Sequence, residues 1–172
     1  ALADLGVLST GSLGLVEGEE PRVYAAQAAG CAPVVKALDE GLEFPDPVKP
    51  DTIAKSIAIG NPADGFQVVS AIRSTGGAGA MVGEDAILDG IELLAETEGI
   101  FTEPAGGVTV AATKQLIERG VIPPDESIVI CITGNGYKTV EALHGRGPVP
   151  IHIGRSLADF EAAMGTQAGG QR

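Results

Sequence analysis

Runs of apolar residues alternate with helical patterns along this chain, and the alternation predicts its secondary structure. The most continuous run is 127–133, in which β-branched residues lead to a hydroxyl and then to Gly134. A run without a polar residue at every second position predicts a central strand buried on both faces, with Cys131 in the core. Shorter runs at 23–28 and 80–82 predict two further strands.

Apolar residues at helical spacing predict the segments between these strands. The clearest stripe is Ile87, Ile91 and Leu94, in a helix that begins at Glu84 and ends before Gly99. Acidic residues at its start suit the helix dipole, and glycine just past its end is a typical stop signal. The same kind of pattern predicts helices at 32–40, 52–57, 66–74, 104–118 and 156–164.

Strands that alternate with helices at this spacing form βαβ units. The predicted fold is therefore α/β, with a twisted, mainly parallel sheet that carries helices on both faces. From Gly145 onward the composition changes, so we predict a main part at 1–143 and a C-terminal arm with a short helix at 144–172. The chain begins without Met, and 1–6 is typical of the end of a helix. We therefore expect a piece of a longer protein.

Charge and composition exclude several classes of partner. The net charge is −12, with 23 acidic and 11 basic residues, which disfavours binding to phosphate backbones. Aromatic residues make up 3% of the chain, too few for base-stacking surfaces. No apolar run approaches the roughly 20 residues of a membrane span, and no signal peptide is evident. We predict no nucleic-acid and no membrane partner.

The cysteine and histidine residues do not form a recognisable metal or nucleophile motif. Cys31 and Cys131 lie far apart and neither belongs to a CxxC or Cys/His cluster, so no metal site is expected. We predict that Cys31 is a packed residue rather than a reactive one. His144 and His152 are predicted to be solvated. These features favour a reducing, cytoplasmic setting.

Three segments have the composition of a ligand site, each with a simpler alternative. Thr133 and Gly134 end the predicted central strand, where ligands of open α/β sheets bind, although a plain turn is the alternative. Small residues follow Glu103 at a helix start, which suits either a ligand close to the exposed N–H groups or close helix packing. Asn61 lies in a Gly-Asn-Pro turn that either lines a pocket or is an ordinary turn.

Taken in order, several stretches resemble one family. PRVYAAQAAGCAPVVKAL, DTIAKSIAIGNPADG, EGIFTEPAGGVTVAATKQLIERG and ITGNGYKT are similar to the C-terminal half of threonine synthases, which are pyridoxal-phosphate enzymes of fold type II, in the tryptophan-synthase-β-like group. IHIGRSLADFEAAM resembles the closing segment of some threonine synthases. The resemblance covers about residues 1–164. EPAG and TG-x-G also occur in related threonine and serine dehydratases.

The resemblance implies roles for four residues. Thr133 would hydrogen-bond the pyridine nitrogen of pyridoxal 5'-phosphate, and Gly134 would let the ring edge approach. Asn61 and Glu103 match segments that border the cofactor. The complete protein would convert O-phospho-L-homoserine and water to L-threonine and phosphate, and would be a homodimer acting on a small amino-acid substrate.

Parts of the family pattern are absent from this chain. Three features of the family are missing: the motif with the Schiff-base lysine, the glycine-rich loop for the cofactor phosphate and the substrate-phosphate site. The residues that flank Lys55 and Lys138 do not indicate a desolvated pocket, which a Schiff-base lysine needs. We therefore assign no catalytic residue to this chain and expect it to be inactive alone. The alternatives are a related lyase, such as threonine or serine dehydratase or cysteate synthase, and a non-catalytic binding or assembly module on the same scaffold.

Overall fold

A computed structural model describes residues 20–146 and 151–168 of the chain. The chain divides into two compact units, with the boundary between Ala142 and Leu143. The helix end predicted at 1–6 lies outside the described residues. The assignment of 1–143 and 144–172 as parts of an enzyme stays a prediction.

Two parallel strands form the sheet of the first unit. Strand β1 spans Ala25–Ala28 and strand β2 spans Gly79–Val82, with Ala25 opposite Gly79. Both strands were predicted, and both are confirmed with slightly shifted ends. Parallel neighbours require a crossover connection, and two helices lie in the chain between these strands.

Helices fill most of the remaining chain. Their bounds are α1 Pro33–Glu40, α2 Gly65–Ser74, α3 Glu84–Glu98, α4 Pro104–Glu118 and α5 Leu157–Ala168. Short 3-10 helices span Lys55–Ile57, Gly136–Lys138 and Val140–Leu143.

Local signals set the ends of the helices. Pro33 and Pro104 lie in the first turns of α1 and α4, where their missing N–H has no helical partner to lose. Gly41 and Gly99 follow α1 and α3 with φ of 73° and 67°, the left-handed region that only glycine enters without steric penalty. The predicted helix at 52–57 is shorter than expected, because only its second half forms a 3-10 turn.

Two apolar clusters lie on the two faces of the sheet. Ala25 packs against the cluster from α1 and α2, whereas Ala26 and Ala28 belong with the cluster from α3 and α4. Successive strand residues point to opposite faces, so the helices cover both sides of the sheet. The predicted α/β fold with helices on both faces is confirmed. The buried members of the two clusters are Val34, Ala37, Val69 and Ile72 on one side, and Ala28, Ala54, Ala80, Val82, Ile87, Val108, Ala112, Leu116 and Ile122 on the other.

Glycines allow α3 and α4 to approach each other closely. A Cβ on Gly90 would lie 2.5 Å from the main-chain oxygen of Gly107, and a Cβ on Gly107 would meet the main-chain oxygen of Ile87. Backbone atoms cannot yield at such distances, so this crossing requires both glycines. Of the two explanations for the small residues after Glu103, close packing therefore accounts for Gly107.

The predicted central strand at 127–133 is wrong for the described chain. This segment forms no strand and makes no backbone hydrogen bond to any described residue. Val129 is 90% exposed, and Cys131 is exposed rather than in the core. A strand is stable only when its N–H and C=O groups pair with a neighbouring strand, and the described residues supply none for this segment.

Cys31 has the environment that the sequence predicts. It is 2% exposed, directly before the start of α1. Burial raises the pKa of the Cys31 thiol above its ordinary value, and the nearby Lys36 ammonium offsets part of that rise. The packed, unreactive role is consistent with this environment.

The second unit contains α5. The Asp159 N–H donates to the Ser156 hydroxyl at 3.1 Å, so Ser156 caps the start of this helix. In the predicted arm before this helix, 151–153 forms no strand, and 147–150 lies outside the described residues. His144 and His152 are exposed, as predicted. Within the described ranges, no helix is both long enough and apolar enough to cross a bilayer.

Candidate cofactor site

The structure brings two of the three predicted site segments together. The residues just before α4 run antiparallel to those after the extended 127–133 segment, with Thr102 paired to Asn135. The Glu103 N–H donates to the Gly134 carbonyl at 3.2 Å, and the Gly136 N–H donates to the Phe101 carbonyl at 3.1 Å. Gly134, which follows Thr133, and Glu103 are therefore neighbours in the structure.

A buried hydroxyl strengthens this junction. Thr102 is 1% exposed, and its Oγ1 donates to the Gly134 carbonyl at 2.9 Å. The Gly134 oxygen thus accepts from both the Thr102 side chain and the Glu103 main chain. A buried polar group without a partner is destabilising, so these two bonds hold the strand-like pair in one arrangement.

Glu103 occupies the N-cap position of α4 without capping it through its side chain. Its backbone is extended, with φ −72° and ψ 168°, and no side-chain cap bond forms. The carboxylate instead accepts from the Lys138 ammonium, with an Nζ to Oε1 distance of 3.1 Å. The Glu103 side chain is 6% exposed and the Lys138 side chain 61%. One partner is therefore buried and the other lies at the surface.

Gly134 has no room for a side chain. A Cβ at this position would overlap the Glu103 carboxylate, including Oε1 and Cδ. The absence of a side chain at Gly134 thus allows its close contact with Glu103. The resemblance implies that it also allows the cofactor ring to approach.

An aromatic pair also packs at this junction. The Phe101 and Tyr137 rings meet edge to face with centroids 5.3 Å apart, an arrangement that aromatic quadrupoles favour. Gly136 lies directly on the Phe101 ring, where a Cβ would come within 2.6 Å of ring carbons. The Asn135 side chain accepts from the Tyr137 N–H at 2.9 Å and starts the short 3-10 helix.

Thr133 lies at the edge of this junction and is exposed. Within the described ranges no protein atom hydrogen-bonds its hydroxyl, while the next residue is held by two bonds. A hydroxyl without a protein partner can donate to or accept from a ligand atom such as a ring nitrogen. Its position is restrained here because the next residue in the chain is held by two hydrogen bonds. The resemblance implies that this hydroxyl meets the ring nitrogen of pyridoxal phosphate, and that role stays a prediction.

Asn61 does not join this group. It is exposed in the loop after the 3-10 helix Lys55–Ile57, where the Gly60 carbonyl accepts from the Val48 N–H at 2.9 Å. Among the described residues, no hydrogen bond, ion pair or ring contact links Asn61 to Thr133, Gly134 or Glu103. Its role as a cofactor neighbour stays a prediction.

Neither candidate lysine lies in a desolvated pocket. Lys55 is exposed, and Lys138 is both largely exposed and paired with Glu103. A lysine nucleophile depends on a lowered pKa from burial or a neighbouring cation, and neither residue has such surroundings. In the part of the chain that the structure describes, no group of three or more His, Cys, Asp or Glu could hold a metal ion.

Sequence reasoning missed the residues that hold this junction together, namely Phe101, Thr102, Asn135 and Lys138. Each belongs to or adjoins a quoted motif, but nothing in the one-dimensional pattern indicates that the two motifs are neighbours. The contacts join residues that are more than 30 positions apart. Only the fold supplies that proximity.

Comparison of the sequence with known proteins identifies the family and the relatives that this chain resembles. Residues 6–134 match the family model described as pyridoxal-phosphate dependent enzyme. The threonine synthase of Methanocaldococcus jannaschii is 40% identical over 136 residues, which are 78% of this chain and 34% of that protein. The threonine synthase of Mycobacterium tuberculosis is 34% identical over 143 residues, 81% of this chain and 38% of that protein. The chain spans about a third of the length of these relatives.

Solved structures with a similar fold include two serine racemases. The maize serine racemase has a TM-score of 0.62 and 17% identity, over 85% of this chain and 45% of that one. The Dictyostelium discoideum serine racemase has a TM-score of 0.50 and 21% identity, over 70% of this chain and 36% of that one. At these identities the likeness is one of fold, and it agrees with an α/β architecture.

Proposed function

The chain belongs to the family of pyridoxal-phosphate dependent enzymes, and on that premise we propose that it is the C-terminal portion of a threonine synthase. The complete enzyme converts O-phospho-L-homoserine and water to L-threonine and phosphate. The observation that carries this proposal is the identity of 34–40% to curated threonine synthases over most of this chain. The contact between Glu103 and Gly134 supports it, because the resemblance implies that Thr133, Gly134 and Glu103 all border the cofactor.

This chain contributes the nitrogen edge of the cofactor site. The Thr133 hydroxyl hydrogen-bonds the pyridine nitrogen, and Gly134 and Glu103 line the adjacent edge. When bound, the cofactor supplies the electron sink that stabilises negative charge on substrate carbons. A neutral hydroxyl does not hold the ring nitrogen protonated as a carboxylate would, so Thr133 sets a moderate strength for that sink.

The remaining parts of the site belong to the rest of the protein. The lysine that binds the cofactor and the loop that holds its phosphate lie outside this chain, which spans about a third of its relatives. Alone, the chain has no desolvated lysine among its described residues and is inactive. The complete protein is a cytoplasmic homodimer. These statements extend the proposal and depend on it.

An assay of the complete protein with three substrates tests the reaction. We expect phosphate and threonine from O-phospho-L-homoserine, and at most slow turnover of threonine and O-phosphoserine. Keto acid formation from threonine, without product from phosphohomoserine, would instead make the protein a dehydratase. Cysteate formed from O-phosphoserine and sulfite would make it a cysteate synthase. If the complete protein binds no pyridoxal phosphate, the non-catalytic module becomes the better explanation.

The variant Thr133→Val tests the proposed contact to the ring nitrogen. Valine keeps the shape of threonine and removes the hydroxyl, so the fold should be retained. We expect kcat to fall by roughly 10- to 100-fold, since the group that tunes the cofactor is lost. Thr139→Val is a nearby control outside the predicted contact, and it should leave kcat within about twofold of wild type. Wild-type kinetics for Thr133→Val would refute the role of Thr133.

A further inference from the structure

We propose that Lys138 is a positioning residue for Thr133. In this arrangement the ion pair between Lys138 and Glu103 fixes the 133–138 loop, defined as Thr133 to Lys138, against the start of α4. The inference rests on the proposed function, because the purpose of the fixed loop is to present the Thr133 hydroxyl to the cofactor.

Glu103 holds the loop at both ends. Its main-chain N–H donates to the Gly134 carbonyl at 3.2 Å, next to Thr133. Its carboxylate accepts from Lys138 Nζ at 3.1 Å, at the last residue of the loop. The N-cap residue of α4 thus contacts the loop near both of its ends.

The burial of the two partners makes the pair asymmetric. The Glu103 side chain is 6% exposed, and within the described ranges Lys138 is the cation that pairs with it. A buried carboxylate that loses its cation is left uncompensated, and it then has to move toward water. Lys138 is 61% exposed and would lose little itself. Removal of Lys138 therefore acts on the loop by way of Glu103.

The path from Glu103 to Thr133 is short. The carboxylate fills the space where a side chain of residue 134 would lie, so any movement of Glu103 changes the support under Gly134. Gly134 is covalently joined to Thr133. Among the described residues no hydrogen bond holds the Thr133 hydroxyl, so its location depends on the residues that hold its neighbour.

The test compares three lysine variants of the complete enzyme. Lys138→Met removes the charge with little change in side-chain length, and Lys138→Arg restores a cation. Lys114→Met is the matched control, because Lys114 pairs with Glu118 at 3.8 Å with both side chains 63% exposed. A surface pair of this kind contributes little to stability.

Two measurements distinguish positioning from general destabilisation. Amide hydrogen exchange of the cofactor-free enzyme reports whether the 133–138 loop is held, through the Gly136 N–H that donates to Phe101. Titration of the cofactor-free enzyme with pyridoxal phosphate reports the dissociation constant. Both measurements are repeated in a Thr133→Val background, together with kcat.

We expect Lys138→Met to accelerate exchange within the loop but not in β1, and to lower kcat by roughly tenfold or more. Lys138→Arg should restore most of the kcat, and Lys114→Met should resemble wild type. In the Thr133→Val background the effect of Lys138→Met on kcat and on cofactor affinity should shrink to less than about twofold, because the two residues act on one contact.

Other outcomes overturn the inference. Unchanged exchange in the loop, or a Lys138→Met effect that persists in full without the Thr133 hydroxyl, would show that Lys138 does not act through Thr133. If the wild-type enzyme binds no pyridoxal phosphate, the proposed function fails separately. Loop exchange in Lys138→Met would then still decide whether the ion pair holds the loop.

Discussion

At the scale of single residues, the two cysteines lie in opposite environments. Both lie in apolar stretches, yet Cys31 is buried beside α1 and Cys131 is exposed on an unpaired segment. The apolar neighbours of Cys131 in sequence are not its neighbours in space. A local pattern thus predicts burial correctly only when the partner that completes it is present.

Cys31 should be slow to react with thiol reagents, because burial raises its pKa and hinders access. We expect labelling of the Cys31 peptide at pH 8 to be on the order of a hundredfold slower in the native than in the denatured protein. Mass spectrometry of the labelled peptides provides the rate. Equal rates in the two states would contradict the packed role.

The raised pKa of Cys31 predicts that the protein loses stability at alkaline pH. Its folded-state pKa is raised, so the neutral thiol favours the folded state. This contribution is fully present below the unfolded pKa, roughly 8.5, and is lost as the pH rises through the folded pKa. Denaturant unfolding between pH 7 and 10 measures it. A Cys31→Ala variant, which has no thiol to ionise, should lack this part of the alkaline decline.

At the scale of elements, helices were predicted more accurately than strands. The ends of α1, α3 and α4 follow Pro, acidic residues and Gly, which act within a few positions of the chain. The strand at 127–133 failed because strand formation depends on a distant partner. The same reasoning explains why the 52–57 helix is short, since its residues supply only one 3-10 turn.

The close crossing of α3 and α4 predicts that a glycine-to-alanine substitution at Gly107 lowers the free energy of unfolding. Gly107→Ala improves helix propensity by about 1 kcal/mol, but its methyl group would overlap the main-chain oxygen of Ile87. We expect a net loss of roughly 1–3 kcal/mol in the free energy of unfolding. Gly165→Ala in α5 is the control, because a Cβ there would meet no described atom within 4 Å beyond its chain neighbours and its own helix backbone.

Chemical denaturation of the complete enzyme measures both changes. Gly165→Ala should be neutral or slightly stabilising, since only the propensity gain applies. If Gly107→Ala were also stabilising, the close approach of α3 and α4 would not exist in solution.

At the scale of the whole molecule, the described chain carries unpaired apolar surface. Ile128, Val129 and Ile130 are exposed on a segment whose backbone groups pair with no described residue. The chain spans about a third of its threonine synthase relatives. If it is the C-terminal portion of such an enzyme, as we propose, the rest of that enzyme supplies a strand that pairs with this segment. We expect the segment to become a protected strand there.

Hydrogen exchange of this chain and of the complete protein tests that expectation. Amides at 128–132 should exchange at least about tenfold more slowly in the complete protein, because pairing with a strand protects them. The amides of β1 serve as the internal reference, since β1 is already paired with β2 in this chain. Equal exchange at 128–132 in both proteins would mean that no strand pairs with the segment.

The sequence by itself determined the helices, the two paired strands, the α/β class and the family. It also singled out the local motifs around Thr133, Gly134 and Glu103, which the structure places next to one another, while their role at a cofactor stays a prediction. These results share one physical reason, which is that caps, turns and periodic apolar stripes act over a few residues.

Only the tertiary structure decided how the motifs meet. The Glu103 bonds to Gly134 and Lys138 and the exposure of 127–133 depend on residues far apart in the chain. Hydrogen bonds, ion pairs and strand pairing form between whichever groups the fold places within about 3 Å of each other. No pattern along a single chain encodes that distance.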